Sequence, residues 1–437
     1  FTSPHEAAFK LIPYFLHAPV PEEFGLVDGV TAPHGIYGYH YDNAVRLHGR
    51  GLFKKKSDLE FRNMVEQPAL QFLSLMGSLG SVAYTDKSDF DYWCCVDEEL
   101  DPKQIARLEE KCRRIEPWCQ KKLGVEVHFF ITTAARLRNN DFGTVSKESC
   151  GSALAKLLME EYFRGSIHIA GKIPSWWMTP IDMPEQHYAR LIETLARNPK
   201  TRDPEIIDIG NIQSIPMEEM IGGGLWQINK GMDSPFKSAL KLALLLEYSD
   251  TCSRNYHKFP LLATELKFHV QTRPNDMERL DPYQFMVNRI FDYYARRGEP
   301  ENLETLRTCF FLKVKPHVSR WLKSSQTPTH FVDTIMLEYC RQWGWDYAKI
   351  EDLEHFSEQP LSYVLQWKNR IERFMLDGIK ELQQQCSRQN LDQIVERVNS
   401  STAGLPQTIA KADSAFGSVQ RLTNRIEDGQ GSLGRLL

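Results

Sequence analysis

The chain has 437 residues, of which 42% are hydrophobic and 25% are charged, and its formal net charge is −4. These values are typical of a soluble globular protein with two or three domains. The charge excludes a strongly basic surface overall, so we expect no nucleic-acid partner. No apolar run approaches the roughly 20 residues that a membrane-spanning helix needs, so we expect no transmembrane segment.

The nine cysteines are irregularly spaced, odd in number and include no Cys-x-x-Cys motif. Two of them, Cys94 and Cys95, lie inside a predicted buried strand. Disulfide frameworks and zinc sites use paired, regularly spaced cysteines. The pattern therefore predicts reduced thiols in a cytoplasmic protein.

The first informative element is an apolar strand predicted over residues 69–76, which ends at Gly77-Ser78. A glycine lets the backbone come close to a ligand. Ser78 adds a hydroxyl and a backbone N–H that can hold a phosphate. A short helix is predicted to follow.

A second strand is predicted over residues 90–96, immediately after Asp89. Residues i and i+2 of a strand point to the same side, so Asp89 and Asp91 should project together with Phe90 behind them. Two carboxylates on one face suit Mg²⁺, which often bridges to substrate phosphates. An isolated Asp-x-Asp is more typical of a solvated loop, but a preceding strand and Gly-Ser make the combination rarer. It predicts nucleotidyl transfer.

A helix is predicted over residues 104–123, and a third strand over residues 125–131. Glu126 and His128 share one face of that strand. By itself, a glutamate on an edge strand is typical of a solvated surface. Beside Asp89-x-Asp91, Glu126 is predicted to be the third carboxylate of a two-metal site.

Beyond residue 150 the chain is predicted to be mainly helical, beginning with residues 154–162. Arg164 follows, and the next segment ends at Gly171-Lys172. This segment is not a Walker loop, because the lysine is followed by isoleucine. A lysine after a glycine can still face a phosphate.

A helix is predicted to start at Pro235, with Asp233 or Ser234 as its N-cap. Lys237 and Lys241 stand four residues apart on this otherwise apolar helix, close to its positive end. Two cations are electrostatically unfavourable there. Either an anionic ligand such as a triphosphate offsets that cost, or both are surface lysines with extended side chains.

Several of these segments together resemble a known family. The Gly-Ser and Asp-x-Asp pattern resembles the DNA polymerase β-like nucleotidyltransferase superfamily. A narrower resemblance, to the catalytic region of class I bacterial adenylate cyclases, covers roughly residues 5–330. The segments that carry it are Met76–Ser78, Ser88–Trp93, Leu123–Phe130, Ile169–Lys172, Leu225–Lys241, Asp281–Tyr283 and Cys309–Val314.

The resemblance implies an α+β fold, with a polymerase β-like nucleotidyltransferase domain followed by a mostly helical domain. The first domain has a small mixed sheet flanked by helices. We predict a catalytic core with an amino-terminal extension over residues 1–175 and a helical domain that completes the nucleotide cleft over residues 176–390. Residues 391–437 are predicted to be a polar tail, helical or disordered.

The resemblance also implies conversion of ATP to 3′,5′-cyclic AMP and pyrophosphate by in-line attack of the ribose 3′-hydroxyl on the α-phosphate. Asp89, Asp91 and Glu126 are the implied catalytic residues and metal ligands, for two Mg²⁺ ions or Mn²⁺. The implied substrate-binding residues are Gly77, Ser78, Arg164, Lys172, Lys230, Lys237 and Lys241.

Two other functions stay open at this stage. One is a nucleotidyltransferase that passes AMP to a separate acceptor, which would need an acceptor groove. The other is a catalytically inactive nucleotide-sensing protein, against which the intact carboxylates argue. ATP is the expected substrate, a regulatory protein is an expected partner, and the cytoplasm is the expected location.

Overall fold

The structure, a computed structural model, describes residues 3–20, 22–50, 52–53, 65–141, 154–181, 183–197, 205–254, 259–273, 280–322 and 328–400. Residues 1–379 form one compact unit and residues 380–437 a second.

Helices dominate the described part of the chain. In chain order they are α1 (Ser3–His17), α2 (Glu22–Gly25), α3 (Asn43–Arg50), α4 (Pro102–Leu123), α5 (Ala134–Arg138), α6 (Ala155–Gly165), α7 (Glu185–Arg197), α8 (Met217–Lys230), α9 (Pro235–Arg254), α10 (Leu262–Thr272), α11 (Pro282–Arg297), α12 (Pro300–Val314), α13 (Ser319–Leu322), α14 (Phe331–Gln342), α15 (Tyr347–Glu354) and α16 (Leu361–Ser400).

The strands form one four-stranded sheet and two small two-stranded pairs. They are β1 (Leu26–Val27), β2 (Val30–Thr31), β3 (Leu70–Met76), β4 (Phe90–Val96), β5 (Val127–Thr133), β6 (Ile167–Gly171), β7 (Ile173–Pro174) and β8 (Ile206–Ile207). The four-stranded sheet has the order β5-β4-β3-β6. In it β3 is antiparallel to both β4 and β6, whereas β4 and β5 are parallel. The chain is thus a mixed α+β protein, mostly helical with a small mixed sheet, as predicted.

The two central strands are covered on both faces, which explains why they are almost wholly apolar in sequence. On one face, Phe90 and Tyr92 join a core with residues of α1 and α4. On the other face, the ring of Trp93 stacks on that of Tyr162 from α6, with ring centroids 5.0 Å apart. Asp91 lies on this second face, two residues before Trp93, because side chains alternate along a strand.

Most of the predicted elements near Asp89 and Asp91 are confirmed. The strand predicted over residues 90–96 has those bounds, and the one predicted over residues 69–76 begins one residue later. Helix α4 begins two residues earlier than predicted, because Asp101 caps it and Pro102 occupies its first turn.

The short helix predicted after Gly77 is wrong. The chain between Gly77 and Asp89 forms a series of turns. Ser81 donates its hydroxyl to the Ser78 carbonyl at 2.7 Å, and the hydroxyls of Ser78 and Ser88 are 2.8 Å apart. Serine side chains that hydrogen-bond locally compete with helical hydrogen bonds, and here they stabilise turns instead.

After residue 205, helices α8, α10 and α11 pack against α6, the helix that contributes Tyr162 to the second face of the sheet. Helix α9 begins at Pro235, as predicted, and packs against α8, α11 and α12. The second unit is described as far as Ser400, through the continuation of α16. The predicted domain boundaries at 175 and 390 stay predictions, and most of the predicted tail lies outside the described residues.

Two further sequence predictions concern cysteines and membranes. Cys94, Cys95, Cys112, Cys119, Cys309 and Cys340 are buried free thiols. Among the described residues, no helix combines the length and the apolar character needed to cross a bilayer.

Candidate active site

A cavity of about 560 Å³ is lined by residues of the strands β4 and β5 and of helices α4, α5, α6, α8 and α9. Met76, at the end of β3, and Asp91, at the start of β4, are paired across the two strands and both line it. The predicted site residues that line this cavity are Gly77, Asp89, Asp91, Arg164, Lys237 and Lys241. The fold therefore brings together residues that are up to 164 positions apart in the chain.

The loop from Gly77 to Asp89, here called the Gly-Ser loop, connects β3 to β4. Gly77 has a φ of +123°, a conformation that favours glycine, and it is the first residue after β3. The Ser78 hydroxyl bonds that of Ser88, which also accepts the Thr85 N–H at 3.0 Å. This contact joins the two ends of the loop next to Asp89. The Ser78 hydroxyl predicted to bind phosphate is thus already engaged within the loop.

Asp89 and Asp91 line the cavity together, as their spacing predicts. Burial, followed by the negative charge of Asp89, raises the pKa of Asp91 to about 7. His128 and Lys237 act in the opposite direction, and Glu161 adds to the increase. Like charges close together in a poorly solvated site disfavour ionisation, and a bound cation would reverse this.

Glu126 is not brought to the other two carboxylates. It immediately precedes β5, and its carbonyl accepts the Phe90 N–H at 3.0 Å, so its backbone lies beside β4 as predicted. Its side chain, however, is 68% exposed and lies 3.1 Å from Nε2 of His128. His128 is the residue paired with Asp91 across the parallel strands. His128 thus contacts Glu126 along its own strand and is paired with Asp91 on the neighbouring strand.

This geometry bears on the predicted metal site. Within the ranges that the structure describes, no group of three or more His, Cys, Asp or Glu side chains is arranged to hold a metal ion. Asp89 and Asp91 do provide the adjacent, mutually repelling hard-oxygen donors that suit Mg²⁺ or Mn²⁺. The pair fits a divalent cation, whereas the predicted set of three carboxylates is not assembled in this structure.

Two cations of the cavity already have carboxylate partners. Nζ of Lys241 is 2.8 Å from Oε1 of Glu161, and Nε of Arg164 is 3.1 Å from Oε2 of the buried Glu160. Burial disfavours the charged form of Glu161, but Lys241 and then Arg164 outweigh it and lower the pKa to about 2. Glu161 therefore offsets the charge of Lys241, a partner that neither of the two alternatives drawn from the sequence included.

Lys237 differs from these cations. Within the described part of the chain its ammonium forms no salt bridge, although it is close enough to Asp91 to affect the pKa of that carboxyl. It also lines the cavity, in the first turn of α9. Of the predicted phosphate-binding lysines, Lys237 has the surroundings that best fit the prediction.

Lys230 and Lys172 are placed differently. Lys230 ends α8, and its ammonium lies 5.4 Å from the ring centre of Trp226, a residue that lines the cavity. Lys172 follows β6 and lies over the Tyr37 ring. Its neighbour Gly171 pairs with Phe72. Phe72 lies about 13 Å along β3 from Met76, the strand residue next to Gly77. The structure does not bring Lys172 to the carboxylates, and its phosphate contact stays a prediction.

The charged residues near the site that the sequence analysis did not predict include Glu160, Glu161 and Lys313. Glu160 and Glu161 are adjacent near the end of the helix predicted over residues 154–162, a signal that could have been noticed. Lys313, near the end of α12, donates to the Ala83 carbonyl in the Gly-Ser loop at 3.1 Å. Burial and the nearby Lys237 lower its pKa to about 8, and Asp89 opposes this. Nothing in the local sequence places Lys313 at that loop.

Comparison with known families gives two matches along the chain. The family described as "Adenylate cyclase NT domain" matches residues 1–177, which contain the four-stranded sheet. The family described as "Adenylate cyclase, class-I, second domain" matches residues 215–403, which contain Lys237 and Lys241. The cavity is thus lined by residues of both matched regions.

Curated relatives agree with these matches. Adenylate cyclase of Salmonella typhimurium is 31% identical over 414 residues, and adenylate cyclase of Escherichia coli K12 is 32% identical over 411 residues. Each alignment covers 92% of this chain and 45% of the relative. The chain therefore spans a little under half the length of these curated relatives. No solved structure matches the chain significantly.

Proposed function

Since the chain belongs to the class-I adenylate cyclase family, we propose that it converts ATP to 3′,5′-cyclic AMP and pyrophosphate in this cavity. The observation that carries the proposal is the arrangement of charge within it. Asp89 and Asp91 lie on the sheet side, and Lys237, Lys241 and Arg164 lie on the helical side. A triphosphate with bound divalent cation needs both: carboxylates for the metal and cations for the phosphate oxygens.

We also propose that the sheet domain belongs to the polymerase β-like nucleotidyltransferases. The Gly-Ser loop joins two antiparallel strands, Asp91 stands at the start of the second, and Glu126 precedes a parallel third strand. This order of elements supports the placement. Members of that superfamily bind two metal ions with carboxylates, and the sequence predicts a site of this kind here.

Asp89 and Asp91 are the residues that would hold Mg²⁺, or Mn²⁺ in its place. A divalent cation held there would lower the pKa of the attacking hydroxyl and would neutralise charge on the phosphates. Glu126 remains a predicted further ligand, although its carboxylate is bonded to His128 in this structure.

The other residues act by binding and orientation. The reaction forms a bond between the ribose 3′-oxygen and the α-phosphorus, breaks the bond from that phosphorus to the pyrophosphate oxygen, and releases the 3′-hydroxyl proton. Negative charge accumulates on the leaving pyrophosphate, and Lys237 is the cation placed to stabilise it. Glu161 and Glu160 orient Lys241 and Arg164, so these cations are held in place before substrate binds.

Product analysis tests the proposal. The protein is incubated with radiolabelled ATP and Mg²⁺, with and without a mixture of RNA and protein acceptors, and the products are separated. We expect cyclic AMP and pyrophosphate in equal amounts whether or not acceptors are present. Label transferred to an acceptor would indicate an AMP transferase, and ATP that is bound but unchanged would indicate a nucleotide-sensing protein. Either result would overturn the proposal.

A further inference from the structure

The Gly-Ser loop is held from outside by two side chains of the helical region. Its residues Val82 and Ala83 are fully buried. The backbone N–H of Val82 donates to Oδ2 of Asp281 at 2.7 Å, and the backbone carbonyl of Ala83 accepts from Nζ of Lys313 at 3.1 Å. The Val82 N–H and the Ala83 carbonyl form no hydrogen bonds within the sheet. A carboxylate and an ammonium group satisfy them instead.

Asp281 has two separate contacts, one for each carboxylate oxygen. Oδ1 caps α11 by accepting the N–H groups of Tyr283 and Gln284, at 2.8 and 3.1 Å. Oδ2 is directed to the loop. Because the residue is 5% exposed, a loss of either partner would leave a buried polar group without a hydrogen bond. The start of α11 and the middle of the loop are therefore fixed to each other.

The loop also closes on itself beside the carboxylates. The Ser78–Ser88 hydroxyl contact ties its two ends together, next to Gly77 and Asp89. A displacement of Val82 and Ala83 would be transmitted through this short closed loop to Asp89. Asp91, in contrast, is held by the sheet. The separation of the two carboxylates consequently depends on how the loop is held.

We propose that Asp281 and Lys313 are positioning residues, which hold the Gly-Ser loop so that Asp89 lies correctly beside Asp91. The inference rests on the proposed function of the cavity. It adds that the second matched region, to which both residues belong, sets the geometry of a site whose carboxylates come from the first. Small displacements at a reacting centre cost about tenfold to a hundredfold in rate.

The substitution Asp281→Asn separates the two contacts. Asparagine caps helices as well as aspartate does, but its amide has a single oxygen and cannot accept from both α11 and Val82. Asp101→Asn is a matched control. Asp101 also precedes a proline, and a single oxygen accepts both helix N–H groups, at 2.7 and 2.8 Å. Lys313→Met removes the second contact, and Lys313→Arg keeps a donor there.

Two measurements decide the inference: hydrogen exchange of a peptide covering residues 79–88, and turnover of bound ATP in single-turnover experiments. In Asp281→Asn and Lys313→Met we expect exchange to accelerate about tenfold or more and turnover to fall about tenfold to a hundredfold. In Asp101→Asn and Lys313→Arg both should stay within about threefold of wild type. Melting temperatures identify variants that have lost their fold.

Unchanged exchange in both disrupting variants would overturn the inference, and so would fast exchange with wild-type turnover. If the wild-type protein formed no cyclic AMP, the proposed function would fail instead. The exchange comparison would then still decide whether Asp281 and Lys313 hold the loop. Should Asp281→Asn not fold, Lys313→Met against Lys313→Arg gives the same decision.

Discussion

Nζ of Lys241 lies 2.8 Å from Oε1 of Glu161. A lysine that was predicted to bind the anionic substrate therefore already has a carboxylate partner from α6. Lys237, one turn earlier on α9, has no such partner within the described residues. The two lysines are equivalent by sequence spacing but not by surroundings. This difference gives them separate expected roles.

Lys241→Met should destabilise the protein, because it leaves Glu161 without its main cation. Both side chains retain some exposure, so we expect a loss of about 1–2 kcal/mol in the free energy of unfolding. The double variant Lys241→Met with Glu161→Gln should recover most of that loss, since no unpaired charge remains. Urea unfolding of Lys241→Met, Glu161→Gln and the double variant measures the three free energies of unfolding. A double variant as unstable as the sum of the single ones would show that the pair contributes nothing.

Lys237→Ala should weaken ATP binding while leaving AMP binding little changed. The contact expected is with the β- or γ-phosphate, and a hydrogen bond to a charged group contributes roughly 1.5–3 kcal/mol. The dissociation constant of ATP should therefore rise about tenfold to a hundredfold. Calorimetric titration with both nucleotides measures the effect, with Lys121→Ala on the exposed side of α4 as the control. Equal losses for ATP and AMP would assign Lys237 a structural role.

Asp89→Asn and Asp91→Asn should each abolish cyclic AMP formation without disturbing the fold. Each removes one of the two adjacent carboxylates that fit a divalent cation, and the loss should be about a thousandfold or more. Asp86→Asn, which changes an exposed residue of the same loop, is the control and should keep wild-type activity. Initial rates with Mg²⁺ and with Mn²⁺ test this. Activity within about tenfold of wild type in either site variant would contradict the metal assignment.

Asp91→Asn should also change how stability depends on pH. The folded protein raises the pKa of Asp91 from 3.8 to about 7, so ionisation of this carboxyl opposes folding. The unfavourable contribution is absent below about pH 4 and grows as the pH rises to about 7. In metal-free buffer the variant should match wild type at pH 4 and be more stable at pH 8, on the order of 1–2 kcal/mol. A difference that does not vary with pH would show that Asp91 is not perturbed.

Glu126→Gln should reduce turnover more than it weakens ATP binding. Glu126 contacts His128, the residue paired with Asp91 across the parallel strands, and among the described residues none of the predicted phosphate-binding lysines contacts it. Single-turnover rates and ATP affinities of the variant separate the two effects. If affinity fell while bound ATP reacted at the normal rate, the assignment of Glu126 to the nucleophile side would be wrong.

Much of the sheet side of the site was predictable from the sequence. Because side chains alternate along β4, Asp91 lies on the face of the sheet opposite to the core residue Phe90. Strands that are buried on both faces are recognisable in the sequence as continuous apolar runs. Gly77 follows the first strand and Asp89 precedes the second, as predicted, although the segment between them forms turns and not the predicted short helix. These features are local, because strand geometry repeats every two residues and a turn involves neighbours in the chain.

The charge partners were not predictable in this way. Glu161 reaches Lys241 across 80 positions, and Lys313 reaches Ala83 across 230. Whether a lysine meets a carboxylate, a backbone carbonyl or an open cavity depends on how α6, α9 and α12 pack against the sheet. The placement of Asp89 and Asp91 was therefore encoded in short-range periodicity, whereas the pairing of charges arose from long-range packing. Burial makes that pairing energetically decisive, but sequence spacing does not reveal it.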